Sequence, residues 1–211
     1  MPIHDVTIPM RPGMPTYPSD PPFKFQFIRK LARGAESNNS WMALGSHTGT
    51  HIDAPLHFIE GGGSVDAIPP EALVGPCRVV DVGEAPLITR AVLGGLDLAG
   101  VERLLFRTAT SAWIAEEFRD DFVAFTEDAA RYLAEEVRPV LVGIDSPALD
   151  PLGTPGHPAH MAILGSETIK GAIEWLALAD VAPGEYHLFC GPLRLAGAEA
   201  APCRVFLSRD G

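Results

Sequence analysis

One short segment groups side chains that could bind a metal or carry a proton more tightly than chance would place them. Four such groups fall within eleven consecutive residues: His47, His51, Asp53 and His57. Gly49 and Pro55 lie between them, and both residue types disfavour an α-helix. The spacing of four from His47 to His51 is therefore not that of two zinc ligands on one helical face. The segment must be extended or looped.

The distance between the two imidazoles decides which of these shapes brings them together. In an ideal strand His47 and His51 would share one face with Asp53 but would stand about 13 Å apart, at roughly 3.3 Å per residue. A bend near Thr48-Gly49-Thr50 would close that gap. Glycine permits the backbone conformations that a tight bend requires. The sequence therefore predicts a bend at Gly49, with Asp53 on the same side as His51.

Two neutral imidazoles and a carboxylate are a donor set that suits zinc, manganese or iron(II), and an incomplete shell leaves room for water or substrate. The alternative is a polar loop whose histidines cap backbone groups. Four groups at this spacing favour the metal site. Cysteine is not expected to contribute, because the three cysteines are odd in number and widely spaced, which predicts buried thiols.

The pattern His-x-Gly-Thr-His-x-Asp-x-Pro-x-His, from His47 to His57, resembles the signature of the cyclase-like metal-dependent hydrolases. That family contains bacterial kynurenine formamidases and isatin hydrolases. Weaker motifs extend the resemblance, in the same order, over nearly the whole chain. They are Pro15-Thr16-Tyr17-Pro18-Ser19-Asp20, Gly143-Ile144-Asp145-Ser146-Pro147, Pro158-Ala159-His160, Glu174 and Pro192-Leu193-Arg194-Leu195-Ala196-Gly197.

The resemblance implies a site for one or two divalent cations. Zinc is the expected metal, and manganese is the alternative. The implied ligands are His47, His51, Asp53, His160 and Glu174, of which Asp53 and Glu174 would bridge two ions. The histidine that matches His57 is the proton donor and acceptor in that family. Tyr17 takes a substrate-contacting position where the formamidase branch usually has tryptophan. The implied assembly is a homo-oligomer, either a dimer or a tetramer.

Without the resemblance, two of these ligands have ordinary alternatives. Glu174 reads equally well as a solvated helix residue paired with Lys170, and His160 as a loop histidine. Asp145 ends an apolar stretch, which makes it a candidate to orient a ligand imidazole from behind.

The chain-wide pattern predicts a single α/β domain over residues 1–211, with a central mixed sheet flanked by helices, as the resemblance also implies. Predicted strands cover residues 3–10, 23–27, 41–46, 77–82, 103–107, 140–144, 186–195 and 204–207. Predicted helices cover residues 112–118, 127–137 and 167–178.

The charge and hydropathy of the chain exclude several kinds of partner. A net charge of −11 opposes binding to nucleic acid or to an anionic membrane. No apolar run approaches the roughly 20 residues that span a bilayer, and the first residues lack the pattern of a secretory signal. We therefore expect a cytoplasmic protein that acts on a small molecule.

These features together predict a hydrolase that cleaves a C–N amide bond, with His57 as acid and base. The resemblance implies that the substrate is an arylformamide such as N-formylkynurenine. An isatin-like lactam or a lactone is the alternative substrate. A non-haem iron(II) oxygenase would use His51, Asp53 and His160 as a triad, but it leaves His47 and His57 without a role. A non-catalytic metal-binding protein is the third alternative.

Overall fold

The structure is a computed structural model that describes residues 2–209. Its strands are β1 (Ile3–Asp5), β2 (Lys24–Arg29), β3 (Asn39–Ala43), β4 (His51–Asp53), β5 (Val74–Asp81), β6 (Leu87–Ile88), β7 (Arg103–Arg107), β8 (Ala124–Phe125), β9 (Leu141–Ile144), β10 (Ala172–Glu174), β11 (Gly184–Pro192) and β12 (Ala200–Ser208). Its α-helices are α1 (Pro70–Leu73), α2 (Arg90–Gly94), α3 (Glu127–Tyr132) and α4 (Pro158–Leu164).

The main sheet is mixed, as predicted, but it closes on itself. Seven strands follow one another in the order β12-β11-β5-β7-β9-β10-β4, and β4 pairs back with β12. The β5–β7, β7–β9 and β9–β10 pairs are parallel and the other pairs of the ring are antiparallel. Strand β1 pairs with the C-terminal residues of β12. The result is a small barrel, so the predicted central mixed sheet is present but curved and closed.

Strand alternation divides the core into two layers. One buried cluster takes residues from all seven ring strands, for example Ile52, Leu105 and Ile173, so the ring encloses it. The other cluster takes the alternate residues, such as Leu104 and Phe106, and packs them against α3 and α4. Side chains next to Ile52 and Ile173 in the chain therefore point to the outer, helix-covered face.

Most predicted strands match observed ones to within a few residues, and the predicted helix at 127–137 is present as α3 followed by a π-helical turn at Leu133–Val137. The first predicted strand is shorter, since β1 ends at Asp5 and only an isolated bridge from Thr7 to Leu176 continues it. Among the described residues, no helix is long and apolar enough to cross a bilayer.

Two predicted helices are wrong. Residues 112–118 form the end of a 3-10 helix and successive turns, with Glu116 and Glu117 both donating to the carbonyl of Trp113. Residues 167–178 contain strand β10 instead. There Ala172 pairs with Val142 on one side and Asp53 on the other, and all three residues of β10 are buried. Pairing on both edges overrides the helical propensity of this segment.

Candidate metal centre

The site lies on the outer face of the ring, where β4 pairs with β10. In this antiparallel pair His51 stands directly opposite Glu174, and Asp53 stands opposite Ala172. His51, Asp53 and Glu174 alternate with the inward-facing Ile52 and Ile173. The strand register therefore places two carboxylates and one imidazole on the same face.

The predicted bend brings His47 to this group. Residues 46–50 form turns and bends, and Gly49 has a φ of +63°, in the left-handed region that favours glycine. His47 Nδ1 then lies 3.1 Å from His51 Nε2, in place of the much larger separation of an extended chain. The bend at Gly49 is confirmed.

Three donor atoms form the first group of the site. His47 Nδ1 lies 3.0 Å from Asp53 Oδ1, and His51 Nε2 lies 3.3 Å from the same oxygen. With the 3.1 Å between the two nitrogens, these atoms form a triangle of nearly equal sides. Asp53 and His51 are almost completely buried, at 0% and 1% exposure.

A second group lies on the other side of Asp53. Helix α4 carries His160, whose Nε2 lies 3.2 Å from Glu174 Oε1 and 4.0 Å from Asp53 Oδ2. The other Glu174 oxygen, Oε2, lies 3.4 Å from His51 Nε2. Asp53 and Glu174 therefore stand between the two sets of imidazoles, where carboxylates that bridge two ions would stand.

The Asp53 carboxylate tests whether a cation fits here. Within the described chain, both of its oxygens are buried and neither accepts a hydrogen bond, although imidazole nitrogens lie close by. A buried carboxylate without partners is costly. Donors about 2.1 Å from a common cation are about 3.0 Å apart in octahedral and 3.4 Å apart in tetrahedral coordination. The triangle around Asp53 Oδ1 matches this range, so the residues fit a divalent cation.

Hydrogen bonds behind two imidazoles fix which nitrogen faces the carboxylates. His51 Nδ1 donates to the Gly49 carbonyl at 2.8 Å, and a carbonyl only accepts. His160 Nδ1 donates to Asp150 Oδ2 at 2.6 Å. In the neutral rings the lone pair is therefore on Nε2, the atom that points at Asp53 and Glu174. This is the usual arrangement behind a metal-binding histidine.

Asp150 also holds the helix that carries His160. Its two oxygens accept the backbone N–H groups of Ala159, at 2.8 Å, and of His160, at 3.0 Å. These are the first free N–H groups of α4, which Pro158 begins. One buried carboxylate thus anchors both the start of α4 and its imidazole.

His47 has a carboxylate on its far side as well. Its Nε2 lies 3.4 Å from Glu199 Oε1, and that oxygen accepts a 2.5 Å hydrogen bond from the Ser46 hydroxyl. The Glu199 carbonyl accepts from the N–H of Ala54, which fixes the backbone of Glu199 beside strand β4. Glu199 directly precedes β12, the antiparallel partner of that strand.

The residue after Glu174 is strained. Trp175 has a φ of +57° although it is bulky and almost fully buried. Its N–H donates to the Ser146 carbonyl at 2.9 Å, and its carbonyl accepts from Thr50 Oγ1 at 2.5 Å. Thr50 in turn accepts from the N–H of Ile8 at 2.9 Å. These bonds tie the end of β10 to the loop that carries His47 and His51.

His57 stands beside the cluster. Pro55 begins a 3-10 turn that ends at His57, and His57 Nε2 lies 4.0 Å from Asp53 Oδ2. The His57 ring contacts the His47 ring at 4.3 Å between centroids. Among the four groups of the first motif, His57 is the most exposed, and it lines a cavity of about 180 Å³ that opens to solvent. Tyr17 lies in the wall of the same cavity, with its ring edge against Phe118.

Charge within the cluster shifts the pKa values in opposite directions. Burial lowers the pKa of His51, but the Asp53 and Glu174 carboxylates outweigh it and raise the pKa to about 10. Burial also lowers the pKa of His160, but the Asp150 and Glu174 carboxylates outweigh it and raise this pKa to about 10. The imidazoles hold the pKa of Asp53 well below its usual range despite burial. The imidazoles and the carboxylates of the cluster therefore stabilise each other's charged forms.

The structure brings together all six predicted ligand and proton-transfer residues: His47, His51, Asp53, His57, His160 and Glu174. The reading of Glu174 as a solvated helix residue is wrong, because it is a buried strand residue. Asp145 does not support an imidazole, since its carboxylate accepts from Thr108 and Ser111 instead. Asp150 and Glu199 perform that role, and no local motif in the sequence marks either of them.

A closed mixed barrel with an outward-facing cluster of imidazoles and carboxylates defines an α/β protein built around a candidate divalent-cation site. The Cyclase family model, described as "Putative cyclase", matches residues 4–151. The chain belongs to this family.

Full-length relatives carry two kinds of name. The chain is 36% identical over 209 residues to a kynurenine formamidase of Salinibacter ruber, covering 98% of this chain and 97% of that one. It is 37% identical over 220 residues to cyclase-like protein 3 of Oryza sativa, covering 97% of this chain and 79% of that one.

Solved structures agree with the fold. A potential metal-dependent hydrolase with cyclase activity superposes with a TM-score of 0.87 at 37% identity, over 100% of this chain and 99% of that one. Isatin hydrolase A of Labrenzia aggregata superposes with a TM-score of 0.81 at 26% identity, over 98% and 93% of the two chains.

Proposed function

We propose that this protein is a metal-dependent hydrolase that cleaves the C–N bond of an arylformamide such as N-formylkynurenine, releasing formate and an aromatic amine. One observation carries the proposal: the buried Asp53 carboxylate, without hydrogen-bond partners, lies at the centre of converging imidazoles and beside His57. The kynurenine formamidase relatives at 34–36% identity support the choice of substrate class.

The proposed ligands are His47, His51 and Asp53 for one ion, with Glu174 and His160 completing the site toward a second. We propose zinc as the bound metal and manganese as the alternative. Imidazole and carboxylate donors suit both. Such a cation, when bound, supplies Lewis-acid polarisation of a carbonyl oxygen and lowers the pKa of water. Asp53 and Glu174 offset its charge.

His57 has the position that a proton-transfer group needs. It faces the cavity, its Nε2 is 4.0 Å from Asp53 Oδ2, and no hydrogen bond among residues 2–209 holds its ring nitrogens. When water adds to the formyl carbon and the C–N bond breaks, the leaving nitrogen must gain one proton. His57 can take a proton from the water and deliver it to that nitrogen, as general acid–base catalysis requires. Tyr17, in the cavity wall, is the proposed substrate contact.

A lactam of the isatin type is the second candidate substrate. The 26% identity and 0.81 TM-score with isatin hydrolase A favour it, because the two chains share one fold over nearly their whole length. In this reaction the same bond breaks, but the amine remains attached to the product.

The proposal also covers the assembly of the protein and its location in the cell. We propose a homo-oligomer, dimer or tetramer, in the cytoplasm. The β2–β3 hairpin supports assembly because Phe25, Phe27 and Met42 lie on one of its faces and are exposed at 38%, 43% and 52%. Contiguous exposed apolar side chains of this kind mark interaction surfaces. Light scattering on the eluting peak of a size-exclusion column measures the mass, and a monomer of 22.5 kDa would contradict the assembly.

The test of the function is turnover of N-formylkynurenine, formanilide and isatin by purified protein before chelation, after it, and after zinc or manganese is returned. We expect hydrolysis of the formamides that disappears on chelation and returns with metal. Undiminished turnover in the fully chelated protein would contradict the proposal. Turnover of isatin alone would favour the lactam substrate.

A further inference from the structure

The loop that carries Tyr17 also forms the rim of the cavity, through Ser19 and Asp20. The cavity of about 180 Å³ is smaller than the roughly 300–1,000 Å³ that enclose a drug-sized ligand. The Phe58 and Trp175 side chains line its deeper part. A substrate larger than a simple anilide therefore places its reacting end beside the cluster and its remaining groups at the rim.

The cavity wall contains several acids and no basic side chain other than histidine. Its lining residues include Asp20, Asp150 and Glu174, and neither lysine nor arginine is among them in the described chain. Asp150 is engaged by His160 and two backbone N–H groups. Glu174 accepts from the N–H of Leu149 at 2.8 Å and faces His160 and His51. Both of these charges are already matched.

Asp20 differs from the other acids because no side chain of the described residues pairs directly with its carboxylate, although the charges of His47 and His51 act on it through space. Its backbone N–H donates to the Tyr17 carbonyl at 2.9 Å, which fixes the turn. The hydrogen bonds and ion pairs of residues 2–209 include none to its carboxylate, although the side chain is only partly exposed. Burial raises the pKa of this carboxyl. A partly desolvated carboxylate at the rim is a ready acceptor for a cationic nitrogen, and hydrogen bonds to charged groups are the stronger ones.

We propose that Asp20 is a specificity-determining residue that accepts a cationic nitrogen of the substrate, such as a primary ammonium, and disfavours substrates whose only charge at that position is negative. This inference rests on the proposed hydrolysis and narrows its substrate class to amides that carry an ammonium group beyond the reacting end. It separates such substrates from isatin, which is neutral. The lack of lysine and arginine in the wall leaves an anionic substituent without a partner.

The test uses three formanilides with an aminomethyl, an ethyl or a carboxylate group at the same ring position. These substituents are similar in size and differ in charge. We expect the aminomethyl compound to have a kcat/KM about 10- to 100-fold above that of the ethyl compound, and the carboxylate compound to be the poorest. The preference should weaken as salt is added, because the rim is partly solvated.

Three variants assign the preference to Asp20. Asp20→Asn should remove the advantage of the aminomethyl compound and leave kcat/KM for the ethyl compound within about twofold. Asp20→Glu keeps the charge and should keep the preference. Glu36→Gln, an exposed residue outside the cavity lining, is the control for loss of one negative charge. An unchanged preference in Asp20→Asn, or loss of bound metal in that variant, would overturn the inference.

Failure of the proposed function would look different. If the ethyl compound is not hydrolysed at all, the proposed function fails, and binding then tests Asp20 by itself. Benzylamine should bind the wild type at least tenfold more tightly than benzyl alcohol, as measured by ligand-detected NMR titration. The difference should vanish in Asp20→Asn. Equal binding of the two compounds by the wild type would overturn the inference without reference to turnover.

Discussion

Replacing Asp150 with asparagine tests how the site holds its imidazole on α4. In the wild type, Asp150 Oδ2 accepts both the Nδ1–H and the backbone N–H of His160, while Oδ1 accepts the N–H of Ala159. Asparagine keeps one oxygen acceptor and replaces the other oxygen with an NH₂ donor. The amide can place its oxygen at the Oδ2 position, where it accepts from His160 without a negative charge while its NH₂ faces the N–H of Ala159. In the opposite orientation the NH₂ faces His160, and the ring can relieve this by moving its proton to Nε2, the atom that faces Glu174.

A proton on Nε2 removes the lone pair that would bind the cation. Changes of this kind behind a metal-binding histidine typically cost 10- to 100-fold in metal affinity, which is about 1.4 to 2.7 kcal/mol. Leaving a buried N–H unsatisfied adds roughly 1–3 kcal/mol to the loss of folding stability. We therefore expect Asp150→Asn to fold, with a lower unfolding temperature, and to bind zinc at least tenfold more weakly.

Competition with a chromophoric chelator measures the zinc affinity, and circular dichroism checks the fold. Asp120→Asn is the matched control, because it makes the same chemical change at an exposed residue far from the cluster in the chain. A folded Asp150→Asn protein with the zinc affinity of the control would refute the assignment of Asp150 as the group that orients His160.

Three further predictions concern other buried groups. His57→Ala should retain its metal but lose about 10²- to 10⁴-fold in kcat; metal analysis beside the assay decides this, and parallel loss of metal would make His57 a ligand. Burial raises the pKa of Asp145 to about 6 from its usual 3.8, so the native state holds an extra proton between these pH values and loses it as pH rises. Stability from this group should therefore fall by roughly 2 kcal/mol between pH 4 and 6. Denaturant unfolding of Asp145→Asn should lack that decrease relative to wild type, and parallel pH profiles of the two proteins would contradict it. Burial raises the pKa of the Cys77 thiol to about 12, so iodoacetamide at pH 8 should modify Cys77 only after denaturation. Mass spectrometry of briefly labelled native protein measures this, and modified Cys77 in that sample would contradict the prediction.

The part of the site that sequence predicts is the part held by local chain geometry. His47, His51, Asp53 and His57 lie within eleven residues, and Gly49 marks the bend that brings the first two together. Glycine at a position with positive φ has a direct physical reason, so the inference needs no knowledge of the rest of the fold.

The remaining residues depend on long-range pairing. Glu174 reaches the site because β10 pairs with β4, more than a hundred residues earlier in the chain, and its local sequence favours a helix. Asp150 and Glu199 are recognisable only once α4 and β12 are in place. The closure of the ring through the β4–β12 pair likewise has no local signature. Non-local strand pairing is what sequence patterns specify least.

The most direct measurement is anomalous X-ray diffraction from crystals grown with zinc, with data collected on both sides of the zinc absorption edge. The account predicts a peak within about 2.2 Å of His47 Nδ1, His51 Nε2 and Asp53 Oδ1. A fully loaded protein whose anomalous peak lies elsewhere, for example between Asp150 and the exposed His157, would contradict it.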